Sequence, residues 1–124
     1  MKLLIIDDDE DYCEILKHKL KKYYQITACH SIEKGIEALK NDIWYAILLD
    51  LSLPDSIENH SIARIMKEKH NAALVVLTGN ENPRIKDRAM LQNVDGFANK
   101  SKDDNERDLR WIIETAVEYT RNKR

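Results

Sequence analysis

The chain has 124 residues, 43% hydrophobic and 34% charged, which suits one domain with a real core and excludes a disordered segment. A formal net charge of −2 argues against a strong non-specific grip on nucleic acid or anionic lipid. Cys13 and Cys29 form no CxxC pair and match no histidine spacing, so no zinc or disulfide framework is expected, and reduced thiols fit a cytosolic protein.

The first apolar run, "LLII" (Leu3–Ile6), is too short for a signal-peptide core and stops at Asp7. No run in the chain reaches membrane-spanning length. It leads into five consecutive acids, Asp7 to Asp11. Adjacent carboxylates raise each other's cost of ionisation, so the cluster favours a bound cation. For Asp9, Glu10 and Asp11 a simpler role is available, because acids in the first turn of a helix meet its dipole favourably. That helix spans residues 10–23, with Tyr12, Cys13, Leu16, Leu20 and Tyr23 on one face.

A weaker strand candidate, "QITAC" (Gln25–Cys29), is followed by a helix over 32–40 with Ser31 as N-cap. "YAILL" (Tyr45–Leu49) and "ALVVL" (Ala73–Leu77) flank a helix over 59–69, and both are continuous, as strands buried on two faces are. Pro83 suits the first turn of a helix to about Leu91. "GFAN" (Gly96–Asn99) is the last strand candidate. The final helix carries Leu109, Ile112, Ile113, Ala116, Val117 and Thr120 as one stripe. Strand and helix alternating in this way predict an α/β fold: a parallel sheet with helices on both faces and right-handed crossovers. No linker, repeat or low-complexity stretch interrupts 1–124, so a single domain is expected.

In such a sheet the ligand crevice lies beyond the carboxyl ends of the strands. There the sequence places Asp7 and Asp8, then Asp50, then Thr78 and Gly79, and finally Lys100. The three carboxylates and one ammonium leave a charge of −2 in one crevice. A hard divalent cation would neutralise it, and all-oxygen ligation with open water positions suits magnesium. His18, His30, His60 and His70 are scattered and read as ordinary surface or satisfied histidines.

In order and spacing, "LLIIDDDED", "AILLDLSLPD", "LVVLTG" and "DGFANKS" resemble the receiver domain of response regulators, the chemotaxis-type module of two-component signalling, over residues 2 to about 120. The resemblance implies a five-stranded, flavodoxin-like (βα)5 fold with strand order 2-1-3-4-5. It implies that Asp50 accepts a phosphoryl group from a phosphohistidine on a sensor histidine kinase or a histidine phosphotransfer protein. Asp8, Asp50 and the backbone carbonyl of Ser52 would bind Mg2+, with Asp7 assisting through water. Lys100 would pair with the phosphoryl oxygens, the Thr78 hydroxyl would swing in to them, and Phe97 would be the aromatic switch residue. It further implies an output through a docked protein target or a covalently linked domain, and a signalling phosphoacceptor with slow self-dephosphorylation, not an enzyme proper.

Two departures stand out. Ser101 follows Lys100 where the family more often has proline after a cis peptide, and Glu58 stands where glycine frequently follows the "LPD" loop. On the last helix Trp111 falls almost opposite the buried stripe, which makes it a candidate contact. In the family the face built from the fourth helix, fifth strand and fifth helix is the usual dimer or partner surface. Trp44 reads as packing. Two other readings are a magnesium-dependent phosphohydrolase with an Asp nucleophile and a receiver serving only as a binding module. Against the first, Ser52 occupies the place, two residues after the nucleophile, where a haloacid-dehalogenase-type enzyme needs an acid. The retained Asp7, Asp8, Asp50, Thr78 and Lys100 weigh against the second.

Overall fold

The computed structural model describes residues 1–51, 60–79, 84 and 93–123. Its strands are β1 (Lys2–Ile6), β2 (Gln25–Cys29), β3 (Ala46–Asp50), β4 (Ala73–Thr78) and β5 (Gly96–Asn99). They pair in parallel in the order β2-β1-β3-β4-β5. Helices α1 (Glu10–Leu20), α2 (Ile32–Asn41) and α3 (His60–Glu68) follow the first three strands, and a C-terminal helix (Glu106–Asn122) follows β5. Apart from residue 84, the helix expected from Pro83 to about Leu91 lies outside the described residues, as do Ser52 and Glu58.

The two-residue period of a strand sorts the aliphatic runs onto opposite faces. Leu3, Ile5, Ala46, Leu48, Val75 and Leu77 meet Cys13, Leu16 and Leu20 of α1 and Leu109, Ile113, Ala116 and Val117 of the C-terminal helix. Leu4, Ile6, Ile47, Leu49, Leu74 and Val76 meet Ile32, Ile36 and Leu39 of α2 and Ile62 and Ile65 of α3. Every residue of β3 and β4 is buried, which is why those strands read as unbroken apolar runs. β2 lies at a sheet edge, and none of its residues is fully buried.

α1 is shorter than its apolar spacing suggests, ending at Leu20 instead of Tyr23. The Leu20 carbonyl accepts from both the Tyr23 and Tyr24 amides, at 3.0 and 3.1 Å. Tyr23 therefore sits in the turn, where its ring carries the Arg110 guanidinium 3.6 Å from its centroid. Trp44 is buried and its indole N–H donates to the Ala38 carbonyl at 3.0 Å. No helix among the described residues is long and apolar enough to cross a membrane.

Candidate functional site

Strand order reverses around β1, since the chain passes from β1 outward to β2 and then back to β3 on the other side. That switch point opens a crevice at the carboxyl ends of β1 and β3. Asp7 follows directly on β1 and Asp50 ends β3. Both are only 1% exposed, whereas Asp8 faces solvent. One carboxylate oxygen from each of the three lies within 4.8 Å of the others.

Lys100, immediately after β5, reaches across into this crevice. Its Nζ lies 2.8 Å from Asp7 Oδ2 and 3.3 Å from Asp50 Oδ2. Its backbone N–H donates to the Thr78 carbonyl at 2.9 Å, extending the β4–β5 ladder by one bond. The turn that aims it is built by Asn99. The Asn99 side-chain oxygen accepts from the Ser101 amide (2.8 Å), the Ser101 hydroxyl (2.6 Å) and the Lys102 amide (3.3 Å). The Asp103 carboxylate in turn accepts from the Asn99 amide at 2.9 Å. The peptide after Lys100 is trans, as there is no cis bond among the described residues. Asparagine thus shapes the turn where the family commonly uses proline.

The acidic run divides by role. The Asp9 amide donates to Asp7 Oδ1 at 2.9 Å, and the Asp9 side chain caps α1 by accepting from the Tyr12 amide at 3.0 Å. Glu10 and Asp11 occupy the first turn. Burial pushes the Asp7 carboxyl pKa up, against the Lys100 and Asp9 hydrogen bonds, and the Asp50 charge adds to the rise. For Lys100 burial acts in the opposite sense, but the Asp7 hydrogen bond and the Asp50 and Asp7 charges outweigh it and raise that pKa too. The Lys100 shift reflects the two carboxylates around it, and the Asp7 shift chiefly its burial; both groups hold their protons more tightly than in water. Three clustered carboxylates against one ammonium are therefore a donor set that fits a hard divalent cation.

A family model for the response regulator receiver domain matches residues 3–113. The chain belongs to that family. Several solved structures share its fold at low identity. A CheY-like receiver domain protein from Methanospirillum hungatei JF-1 is 20% identical with a TM-score of 0.85, the match covering 99% of this chain and 98% of that one. A response regulator from Burkholderia pseudomallei, containing a phosphorylated aspartic acid, a calcium ion and citrate, is 20% identical with a TM-score of 0.83 over 98% of this chain and 71% of that one. An adenylate cyclase from Rhodopirellula baltica is 23% identical with a TM-score of 0.84 over 96% of this chain and 88% of that one.

Within this receiver domain the structure brings together Asp7, Asp8, Asp50 and Lys100. Thr78 ends β4 beside β3 and is 1% exposed. Phe97, on β5, is half-buried and packs against the cluster shared with α2 and α3. Trp111 lies apart from the crevice on the C-terminal helix, 68% exposed. Two residues that matter locally do not stand out in the sequence, Asn99 and Tyr12. The Tyr12 ring lies under Lys100, with Nζ 4.4 Å from its centroid. One sequence signal could have found it: side chains in a helix lean toward its N-terminus, so a large residue in the first turn overhangs the preceding strand end.

Proposed function

We propose that residues 1–124 form a single receiver unit in which Asp50 accepts a phosphoryl group from a phosphohistidine donor in a Mg2+-dependent reaction. The observation that carries this reading is the Lys100 ammonium set between two buried carboxylates at the ends of β1 and β3. An ionised Asp50 is competent as a nucleophile without a general base. Its carboxylate oxygen bonds to phosphorus as the bond from phosphorus to the donor imidazole breaks, and the imidazole leaves with the electron pair. Lys100 faces the oxygens of the incoming group, and the Thr78 hydroxyl, one strand away, is the group that turns toward them. Asp8, Asp50 and the Ser52 carbonyl would hold the magnesium ion, with Asp7 assisting through water. When bound, that ion supplies the positive charge that phosphoryl oxygens need in the transition state.

Phosphorylation adds charge and acceptor oxygens at the crevice. Drawing Thr78 inward would bias the segment after β4 and the rotamer of Phe97, shifting a two-state equilibrium at a protein-interaction surface. The partners in this reading are a sensor histidine kinase or histidine phosphotransfer protein, and a docked target or covalently linked output domain in the cytoplasm. The face of the fourth helix, fifth strand and fifth helix, with Trp111 in it, is the candidate surface for a protein partner or a homodimer.

Intact mass after incubation with acetyl phosphate, with and without Mg2+, tests the proposal. The native chain is expected to gain one phosphoryl group only with the metal, and Asp50→Ala none. A native chain that stays uncharged while a known receiver is phosphorylated under the same conditions overturns it, leaving a binding module. Steady release of phosphate from simple esters would instead indicate a phosphohydrolase.

A further inference from the structure

Lys100 must do two things that conflict. It grips Asp7 and Asp50 in the resting crevice, and in the reading above it transfers to phosphoryl oxygens bonded to Asp50. A neighbour that fixed the ammonium through a directional hydrogen bond would use one of its three protons and oppose that transfer.

The structure supplies a support of another kind. The ammonium sits 4.4 Å from the centroid of the Tyr12 ring, within the range of a cation–π contact. A π face attracts the charge without claiming a proton in a fixed direction. The support is held firmly, because the Tyr12 amide is the one that caps onto Asp9, and the Asp9 amide is bound by Asp7. A closed circuit results: Asp7 holds Asp9, Asp9 fixes Tyr12, Tyr12 supports Lys100, and Lys100 returns to Asp7. The Lys100 stem also passes Gly79, whose added Cβ would come to 4.0 Å of Lys100 Cδ. The Tyr12 hydroxyl takes no part in this, since it is buried with no hydrogen-bond partner among the described residues. The ring, not the oxygen, is in use.

We infer that Tyr12 is a positioning residue for phosphoryl transfer, an aromatic platform that keeps Lys100 aimed at the acceptor carboxylate while leaving its protons free to change partners. This rests on Asp50 being the phosphoacceptor. It predicts an order of rates that side-chain bulk alone would not give. The test is the rate of phosphorylation by acetyl phosphate in saturating Mg2+ for the native chain, Tyr12→Phe, Tyr12→Leu and Tyr12→Met. The Lys100 side-chain εCH2 resonances are followed by NMR in the same samples. Tyr12→Phe should match the native rate to within about twofold, whereas Tyr12→Leu and Tyr12→Met should be slower by about five- to tenfold, the worth of a partly desolvated cation–π contact. The upfield ring-current shift of the Lys100 resonances should persist in Tyr12→Phe and vanish in the aliphatic variants. Leucine and methionine test the same point independently, so one that folds poorly does not decide the matter. Aliphatic variants as fast as the native chain overturn the platform, and so does a Tyr12→Phe as slow as they are. No uptake by the native chain is a separate result, which overturns the phosphoacceptor reading itself.

Discussion

At Asp7 the needs of the fold and of the site oppose each other. Burial raises its pKa, and the neighbouring Asp50 charge adds to that. A carboxyl whose folded pKa lies above its unfolded value stabilises the fold below the unfolded pKa, and that contribution is lost as pH rises through the folded pKa. Above that folded pKa the ionised group is therefore a cost relative to a neutral isostere, tolerated because a cation can use it. In chelator-treated buffer Asp7→Asn is expected to be more stable than the native chain by about 1 kcal/mol, the usual scale for relieving strain at a functional site. Added Mg2+, which at a hundredfold excess over its dissociation constant would stabilise the native chain by about 2.7 kcal/mol, should do much less for the variant. Urea unfolding with and without Mg2+ measures both. Equal or lower stability of Asp7→Asn in chelator would mean that the Lys100 ion pair outweighs burial. The site's members were legible at this scale because each stands at the end of an apolar run, as Asp7, Asp50, Thr78 and Lys100 do. Tyr12 was not, because its helical spacing with Cys13 and Leu16 makes it look like core.

The elements were legible in proportion to their burial. β3 and β4, hidden on both faces, stand out as aliphatic runs, whereas β2 at the edge mixes exposed and half-buried residues and reads weakly. Boundaries depend on caps that spacing does not encode, so α1 ends at the Leu20 carbonyl and not where its apolar pattern stops. α2 carries a constraint the sequence hardly shows. Gly35 in mid-helix looks like a simple loss of helix propensity, yet α2 crosses β1 so closely that a Cβ there would fall 2.4 Å from Ile6 Cδ1 and 2.8 Å from Cγ1. Ile6 is wholly buried and has little room to give way. Gly35→Ala should gain about 1 kcal/mol of helix propensity and lose about 2 kcal/mol to overpacking, a net destabilisation. Ile6→Val removes Cδ1, so the double variant should recover most of the loss beyond the cost of Ile6→Val alone. Chemical denaturation of the four proteins in this cycle decides it. Simple additivity would place the clash elsewhere.

Across the whole molecule, Asp95 joins what the sheet separates. Its side chain is fully buried just before β5. One oxygen accepts from the Leu74 amide of β4 at 2.8 Å and lies 3.5 Å from Lys69, just past α3. The other lies 2.8 Å from Lys123, just past the C-terminal helix. α3 covers one face of the sheet and the C-terminal helix the other, so a single carboxylate links both layers. Burial pushes its pKa up, but the Leu74 amide, Lys123 and Lys69 more than offset this and hold it below the ordinary carboxylate value. The sign follows from that direction: an acid with a depressed folded pKa contributes stability above its unfolded pKa, near 3.8, and loses it as pH falls through the folded value. Asp95→Asn would leave Lys69, itself only 8% exposed, facing an amide, and breaking a buried pair from one side costs about 3–5 kcal/mol. The deficit of Asp95→Asn should therefore be full at pH 7 and shrink below about pH 4, where the unfolded chain's carboxyl takes up its proton ahead of the native one. Urea midpoints for both proteins from pH 7 down to pH 3 would trace it. A deficit that stays constant across that range would mean that Asp95 acts through its hydrogen bond to the Leu74 amide, which protonation need not break, and that its charge does not hold the two layers together.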